Sequence, residues 1–273
     1  MSNLEYGYIG SSPTQSRTGN SGVFSMDDII DLEQNEKWRW GSFPVETASA
    51  QLDIYLDAML GSYSTSSGAE NLANTVYGTS TLGNFAQSGG VGHSTTEANY
   101  FGAFTFDGSN DYLYKSYSSV YSGWREGMTI SIWLNRDDYN GRQNVWNNGY
   151  GGLGTITLET GGGANFYHGT HGDNSSPYQG SGGGFTLSLG EVSNITVCRR
   201  SATVQWYKNG VQTSSKTNSH HPAANGSNEL RIGLGYAGYY DGKIYTVQCW
   251  DGELTDAEIL QNYQYFAPRF GMS

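Results

Sequence analysis

Short runs of apolar and β-branched residues alternate with clusters of Gly, Ser, Thr and Asn along most of the chain. This pattern predicts many short strands joined by turns, and from Phe101 onward the runs recur at intervals typical of a sandwich. The strongest hairpin signal is Asn209-Gly210, because a type I′ turn requires positive φ at both central residues. Residues 61–100 are predicted to be mostly loop, with one or two short strands. The other predicted strands lie at residues 52–56, 102–106, 112–115, 128–136, 155–160, 164–168, 185–189, 194–200, 203–208, 211–215, 229–233 and 242–250.

A helix is predicted near the end of the chain. Thr255 suits the N-cap position with Glu258 three residues later, and Leu254 and Ile259 occupy the positions of a hydrophobic staple. The helix should run to about residue 265 and stop before Pro268.

Residues 1–47 differ from the rest and are predicted to form an extended arm with one short helix. Up to residue 21 the arm is polar and lacks periodicity, and Ser25 then suits an N-cap, with Asp28 three residues later. A helix this short is not stable alone, so we expect it to dock on the following domain or on a partner. Aromatic residues strengthen this expectation, at Tyr6, Tyr8, Phe24, Trp38 and Trp40. Residues 48–273 are predicted to form a single domain.

Charge and composition narrow the classes of partner. The chain has 14 Lys and Arg against 25 Asp and Glu, a net charge of −11, and no basic stripe, so we expect no nucleic-acid partner. The 39 glycines do not follow a collagen repeat, and the many aromatic residues indicate a packed core. No apolar run approaches the roughly 18 residues of a membrane span, so we expect no membrane partner.

The two cysteines are predicted to be buried free thiols. Cys198 and Cys249 sit inside apolar, strand-like runs, and the first residues lack the basic and apolar regions of a secretory signal. We therefore expect the chain to occur in a reducing cytoplasm or to be assembled there.

An ordered set of short motifs resembles the laminin-G-like or concanavalin A-like jelly roll. The resemblance covers residues 48–268 and implies a β-sandwich of two antiparallel sheets. The motifs are Leu52 to Ala58, Asn71-Leu72, Phe106 to Leu113, Met128 to Trp133, Trp206 to Val211, Leu230 to Gly233, Gly242 to Ile244 and Leu254 to Ile259.

The arm carries a second resemblance, to the N-terminal stretch of structural proteins from marine and cyanobacterial tailed phages. It implies a virion protein of the head decoration, neck, tail or fibre, assembled in the bacterial host cytoplasm. Residues 1–47 would anchor it to other virion proteins, in many copies or as a homo-oligomer, and it would display a lectin-like jelly roll. The matching segments are Tyr8 to Gly10, Ser12 to Ser16, Ser21 to Ser25, Asp28 to Leu32 and Lys37-Trp38.

The family also includes glucanases, whose chemistry requires two carboxylates flanking the scissile bond. The E-x-D-x-x-E pattern of such enzymes is absent from this sequence. Asp137 and Asp138 are adjacent, so on a strand they would point to opposite faces, and a loop is expected there. We therefore predict no catalytic residues and a protein that is not an enzyme.

The turn Asp107-Gly108-Ser109-Asn110-Asp111 invites a calcium interpretation, since Asp and Asn supply oxygen ligands. The alternative is that these side chains bond nearby backbone amides and make the turn itself. Only two carboxylates lie within it, so we favour the turn.

Two histidine-containing segments invite a metal-site interpretation, one with His168, His171 and Asp173 and the other with His220-His221. Spacing of three puts His168 and His171 on opposite faces of a strand, and no Cys or Glu is close by. A solvated loop is the favoured interpretation for both segments. No Gly-rich phosphate loop follows a strand and opens a helix, so the sequence does not indicate a nucleotide cofactor. With both possible metal sites interpreted as turn or loop, we predict neither a bound metal nor a cofactor.

Exposed aromatic residues in Gly/Asn-rich segments are candidate stacking platforms for a surface glycan. Tyrosine-rich loops are equally typical of protein-binding surfaces, so both interpretations stay open. Trp133 and Trp206 lie on strand faces and are predicted to belong to the core. The sequons at Asn174, Asn194 and Asn225 are interpreted as chance matches. The candidate platforms are Trp146, Tyr150, Tyr236, Tyr239 and Tyr240.

Overall fold

The computed structural model describes residues 14–16, 19–21, 50–75, 80, 82–95, 102–116, 127–148, 154–169, 178–200, 202–217 and 229–272. The chain divides into two compact units, Met1–Glu46 and Thr47–Ser273. In the first unit, strands β1 (Thr14–Ser16) and β2 (Gly19–Ser21) pair antiparallel. The helix predicted from Ser25 lies outside the described residues.

The second unit contains two large antiparallel sheets that form a sandwich, which confirms the predicted all-β jelly-roll class. Sheet one has eight strands among the described residues. They are β3 (Gln51–Asp57), β7 (Gly92–Ser94), β8 (Ala103–Asp107), β10 (Gly127–Arg136), β15 (Val192–Arg200), β16 (Thr203–Lys208), β17 (Val211–Thr217) and β19 (Asp241–Asp251). Their order is β17-β16-β15-β10-β19-β8-β7, and β3 also pairs with β19.

Sheet two has seven strands within the described ranges. They are β6 (Ala86–Ser88), β9 (Tyr112–Lys115), β11 (Gln143–Asn147), β12 (Thr155–Leu158), β13 (Ala164–Gly169), β14 (Tyr178–Gly182) and β18 (Leu230–Ile232). Their order is β14-β13-β12-β11-β18-β9-β6. Residues 61–100, predicted to be mostly loop, also contain a small hairpin and a short helix. The hairpin consists of β4 (Tyr63–Ser64) and β5 (Gly68–Ala69), and the helix is α1 (Leu72–Thr75).

The core lies between the sheets, where alternate strand residues meet. In β10, Ile130, Ile132 and Leu134 face this core, and Trp206 joins it from β16. Every residue of β10 is buried, because its other face is also covered. The cover is the C-terminal helix α2 (Asp256–Phe266), which with the following 3₁₀ turn packs on Trp133.

Helix α2 begins as the sequence predicts. The Thr255 side chain accepts a hydrogen bond from the Glu258 amide, and the Glu258 carboxylate accepts one from the Thr255 amide. The helix ends at Phe266, before Pro268, and a 3₁₀ turn (Ala267–Phe270) follows. None of the described helices is long and apolar enough to cross a membrane.

Two further predictions from local sequence are confirmed. Asn209 and Gly210 have φ values of 52° and 74°, as the β16–β17 hairpin requires. Cys198 and Cys249 are buried free thiols. Cys198 lies opposite Thr129 and Cys249 lies opposite Ile130, so the two thiols belong to opposite faces of sheet one.

The strand predicted at residues 185–189 is wrong. Leu189 alone bridges to Arg136, while Phe185 and Leu187 pack into the sandwich as part of an irregular segment. Four strands outside residues 61–100 were not predicted. The arm contains β1 and β2, and Asn and Gly residues weaken the strand pattern of β11 and β14. Residues 61–100 also hold more short strands than predicted, namely β4, β5, β6 and β7.

Candidate functional site

The candidate site is a cleft of about 450 Å³ at one end of the strands of sheet one. Asp107 ends β8, Asp241 begins β19, and Asp138 follows the end of β10. Because β19 pairs antiparallel with both β8 and β10, the end of β8, the end of β10 and the start of β19 lie side by side at the same end of the sheet. Asp241 lies directly opposite Asp107, and the Asp137 amide donates to the Asp241 carbonyl oxygen at 3.1 Å. Three carboxylates distant in sequence therefore line one cleft.

The β8–β9 turn forms one wall of the cleft, and its side chains bond its own backbone. The Asp107 carboxylate accepts from the amides of Ser109 and Asn110, at 2.9 and 3.2 Å. The bond from Ser109 is the main cause that lowers the pKa of Asp107. Asp111 accepts from the Asp107 amide at 3.2 Å. The prediction that these residues make the turn is confirmed.

The carboxylates in the cleft repel one another. Burial, followed by the charges of Asp138 and Asp137, raises the pKa of Asp241. The cleft therefore favours neutral or cationic groups over anionic ones.

The described residues contain no group of three or more His, Cys, Asp or Glu side chains suited to holding a metal ion.

The loop that follows β10 is held rigidly. The guanidinium of buried Arg136 donates to the carbonyl oxygens of Glu159 and Gly141, at 2.6 and 2.9 Å. Gln143 Nε2 donates to Asp138 Oδ1 at 2.6 Å, which orients that carboxylate in the cleft wall. Gln143 is only 5% exposed, and its Oε1 has no hydrogen-bond partner in the described part of the chain.

Arg142, on the same loop, is tied to sheet two. Its Nε donates to Glu159 Oε2 at 2.8 Å, and its guanidinium lies 5.3 Å from the ring centroid of Tyr167. Burial raises the pKa of Glu159, but hydrogen bonds from Arg142, Asn165 and Tyr167 outweigh burial and lower it. Because this ion pair engages Arg142, the positive charge at this end of the cleft is largely neutralised.

Tyr239 lies in the cleft wall, on a loop closed by a bridge between Leu234 and Tyr239. Its ring centroid lies 6.4 Å from that of Tyr112, on strand β9. Tyr236, on the same loop, is 84% exposed. These positions agree with the prediction of accessible rings at Tyr236 and Tyr239.

The predictions of accessible rings at Trp146 and Tyr240 are wrong. Trp146 is fully buried in the core, because a bulge between Asn144 and Trp146 turns it inward from β11. Tyr240 points inward because it is adjacent to outward-facing Tyr239, and its hydroxyl donates to the Asn135 carbonyl oxygen at 2.6 Å. Tyr150 lies outside the described residues.

His168 is a buried strand residue, so the prediction of a solvated loop is wrong at that position. Its Nε2 lies 3.0 Å from an Arg199 guanidinium nitrogen, inside the protein. Asn194 of the middle sequon is also buried, and its amide donates to Ser131 Oγ at 2.9 Å. The remaining residues of these motifs lie outside the described residues, namely His171, Asp173, Asn174, His220, His221 and Asn225.

A family model described as the concanavalin A-like lectin/glucanases superfamily matches residues 107–260, more than half of the chain. The chain belongs to this superfamily. No curated protein matches it.

Several solved members of this fold superpose on the chain. Domain 4 of AbnA, an extracellular arabinanase from Geobacillus stearothermophilus, was solved in complex with arabinotriose. It has a TM-score of 0.60 and 14% identity, over 79% of this chain and 100% of that domain. The receptor binding domain of a botulinum neurotoxin C/D mosaic serotype has a TM-score of 0.59 and 13% identity, over 78% of this chain and 51% of that one.

A third structure concerns botulinum neurotoxin type C, whose cell entry depends upon interaction with two ganglioside molecules. It has a TM-score of 0.60 and 12% identity, over 79% of this chain and 51% of that one. This chain therefore spans about half the length of the toxin chains that it matches. At these identities the likeness shows the concanavalin A-like fold.

Proposed function

We propose that the jelly-roll unit is a carbohydrate-binding module and that the cleft beside Tyr239 is its sugar site. The observation that carries the proposal is an aromatic ring placed next to fixed hydrogen-bonding groups in one cleft. A volume of about 450 Å³ is within the range of small-molecule sites. The arabinotriose complex of the AbnA domain and the ganglioside dependence of the type C toxin support this choice of ligand class.

The cleft has the groups that a sugar requires. Asp138 Oδ1 accepts hydrogen bonds from Gln143 Nε2 and, at 3.2 Å, from the backbone N–H of Asn140. The carboxylate is therefore oriented before a sugar hydroxyl group arrives. The ring of Tyr239 offers an apolar surface to the C–H face of a sugar. Negative charge in the cleft favours neutral or amino sugars over sialylated or sulfated ones.

A glycan array followed by calorimetric titration of the best neutral glycan tests this function. Tyr239→Ala should weaken binding about tenfold or more, since it removes the ring and its desolvated contacts. Asp138→Asn should weaken it less, because the amide keeps one acceptor oxygen. Tyr265→Ala is the matched control, since Tyr265 lies on helix α2, over sheet one. Binding that survives Tyr239→Ala, or an array without hits, would refute the proposal.

We propose further that the protein is a non-enzymatic virion component, which displays the jelly roll by means of its N-terminal arm. The arm's resemblance to phage structural proteins supports this, as does the division of the chain into the units Met1–Glu46 and Thr47–Ser273. The absence from this sequence of the E-x-D-x-x-E pattern of the family's glucanases supports the non-enzymatic part.

Mass spectrometry of purified particles tests the virion role. Peptides of this chain should be present in particles of a phage that carries the gene, at a fixed ratio to the major capsid protein. Their absence from such particles would contradict the proposal.

A further inference from the structure

We infer that the ligand is a linear, uncharged oligosaccharide of at least three units, which runs from the cleft across a row of tyrosines on the outer face of sheet two. The tyrosine row consists of Tyr239, Tyr112 and Tyr114. This inference rests on the proposed function and specifies its ligand class.

The row follows from strand alternation. In β9, Leu113 is fully buried in the core, so its neighbours Tyr112 and Tyr114 project from the opposite face of the sheet, where both are half-buried. The ring centroids of Tyr112 and Tyr114 are 5.6 Å apart, and those of Tyr112 and Tyr239 are 6.4 Å apart. A sugar ring is similar in size to a phenol ring, so neighbouring tyrosines at these spacings can contact successive sugar units.

The row is rigid at its centre. Arg231 of β18, next to β9 in the sheet, holds its guanidinium 5.5 Å from the Tyr112 ring centroid. Glu229 accepts a hydrogen bond from Arg231 Nε at 2.7 Å, which fixes the guanidinium and offsets its charge. Rings ordered before binding lose little conformational entropy when a ligand arrives.

The surroundings favour an uncharged glycan. Asp107, Asp138 and Asp241 at the cleft end repel a polyanionic chain, and the ion pair of Arg231 with Glu229 leaves the centre of the row without net charge. Tyr and Arg are enriched at protein interfaces, and the buried centre of such an interface is more apolar than the rest of the surface. The large aliphatic side chains exposed in the described part of the chain lie on other elements, at Leu60, Leu189, Val211 and Leu260.

A length series tests the inference. Cello-, xylo-, arabino- and malto-oligosaccharides of one, three and six units are titrated into the full chain by calorimetry. In the series that binds, affinity should rise from one unit to three, and Tyr114→Ala should remove roughly two- to tenfold of that gain. Affinity for the single unit should stay unchanged, because Tyr239 and the cleft remain intact. Tyr114→Phe should keep the gain, since it retains the ring.

The outcomes separate this inference from the proposed function. If one series binds through Tyr239 but affinity does not rise with length, or if Tyr114→Ala keeps the full gain, the tyrosine row is not a subsite and the cleft alone is the site. If no series binds, both the proposed function and this inference fail. If the chain binds no glycan but binds a protein, and Tyr114→Ala abolishes that binding, the row belongs to a protein partner and the inference is overturned. Thermal unfolding of each variant verifies that it is folded.

Discussion

At the scale of single residues, the aspartates around the cleft differ in how the fold treats their charge. Asp107 accepts backbone hydrogen bonds in its own turn, and its pKa is lowered. Burial raises the pKa of Asp241, and the charges of Asp138 and Asp137 raise it further. The cleft is therefore built at some expense in stability, as is common where groups are held ready for a ligand.

The raised pKa of Asp241 gives a prediction with a definite sign. A raised folded-state pKa contributes stability below the ordinary value of 3.8 and loses it as pH rises through the raised value. Asp241→Asn removes a negative charge that burial and neighbouring carboxylates disfavour. The variant should therefore be more stable than the wild type at pH 7, by less than about 1 kcal/mol, and nearly as stable at pH 3. Thermal unfolding at both pH values measures this difference.

The matched control for that variant is Asp256→Asn, at the start of helix α2. A hydrogen bond from Tyr207, followed by contacts from Arg200, lowers the pKa of Asp256. Its stabilising contribution is present above the ordinary value of 3.8 and is lost as pH falls through the lowered one. Asp256→Asn should therefore destabilise the protein at pH 7. Equal effects of the two variants would contradict the assigned pKa directions.

At the scale of elements, helix α2 and its 3₁₀ turn close the outer face of sheet one. Trp133 lies between them, with ring centroid distances of 5.5 Å to Tyr263 and 4.3 Å to Phe270. Arg269 in the turn forms a buried ion pair with Asp57 of β3, at 2.9 Å. The end of the chain is thus fixed to the start of the sandwich, on the sheet that does not carry the tyrosine row.

Removal of the positive charge of Arg269 should lower the free energy of unfolding. Arg269→Met leaves the buried carboxylate of Asp57 without its charge partner, and we expect a loss of about 3 kcal/mol in the free energy of unfolding. The Asp57→Asn, Arg269→Met double variant should recover part of the loss, because no buried charge remains. Urea unfolding measures both, and glycan binding should be unchanged. A single variant as stable as the wild type would contradict the role of the ion pair.

At the scale of the whole molecule, the two units have separate tasks in our account. The sandwich has its own continuous core, drawn from both sheets within Thr47–Ser273. The cleft and the tyrosine row also belong to that unit alone. Anchoring is assigned to the arm.

Deletion of residues 1–46 separates these tasks. The remaining chain should unfold at nearly the same temperature as the full chain and bind the same glycan with unchanged affinity. It should also fail to join the particle when it replaces the full chain in an infected host. Assembly of the truncated protein into particles would show that the arm is not the anchor.

Predictability from the sequence followed the range of the interaction. The Asn209-Gly210 turn, the Thr255 capping box and the Asp107 turn depend on neighbouring residues, and all three were predicted. The cleft was not, because only the register of β19 against β8 and β10 brings its aspartates together. Trp146 and Tyr240 were misassigned because Gly and Asn neighbours suggest loops, whereas a bulge and strand alternation bury their rings.

A crystal structure of the full chain with its best neutral trisaccharide tests the central claim most directly. We expect one sugar unit to stack on the ring of Tyr239 with a hydroxyl group bonded to Asp138, and the chain to continue over Tyr112 towards Tyr114. A trisaccharide bound at any other surface, with the cleft empty, would contradict the account.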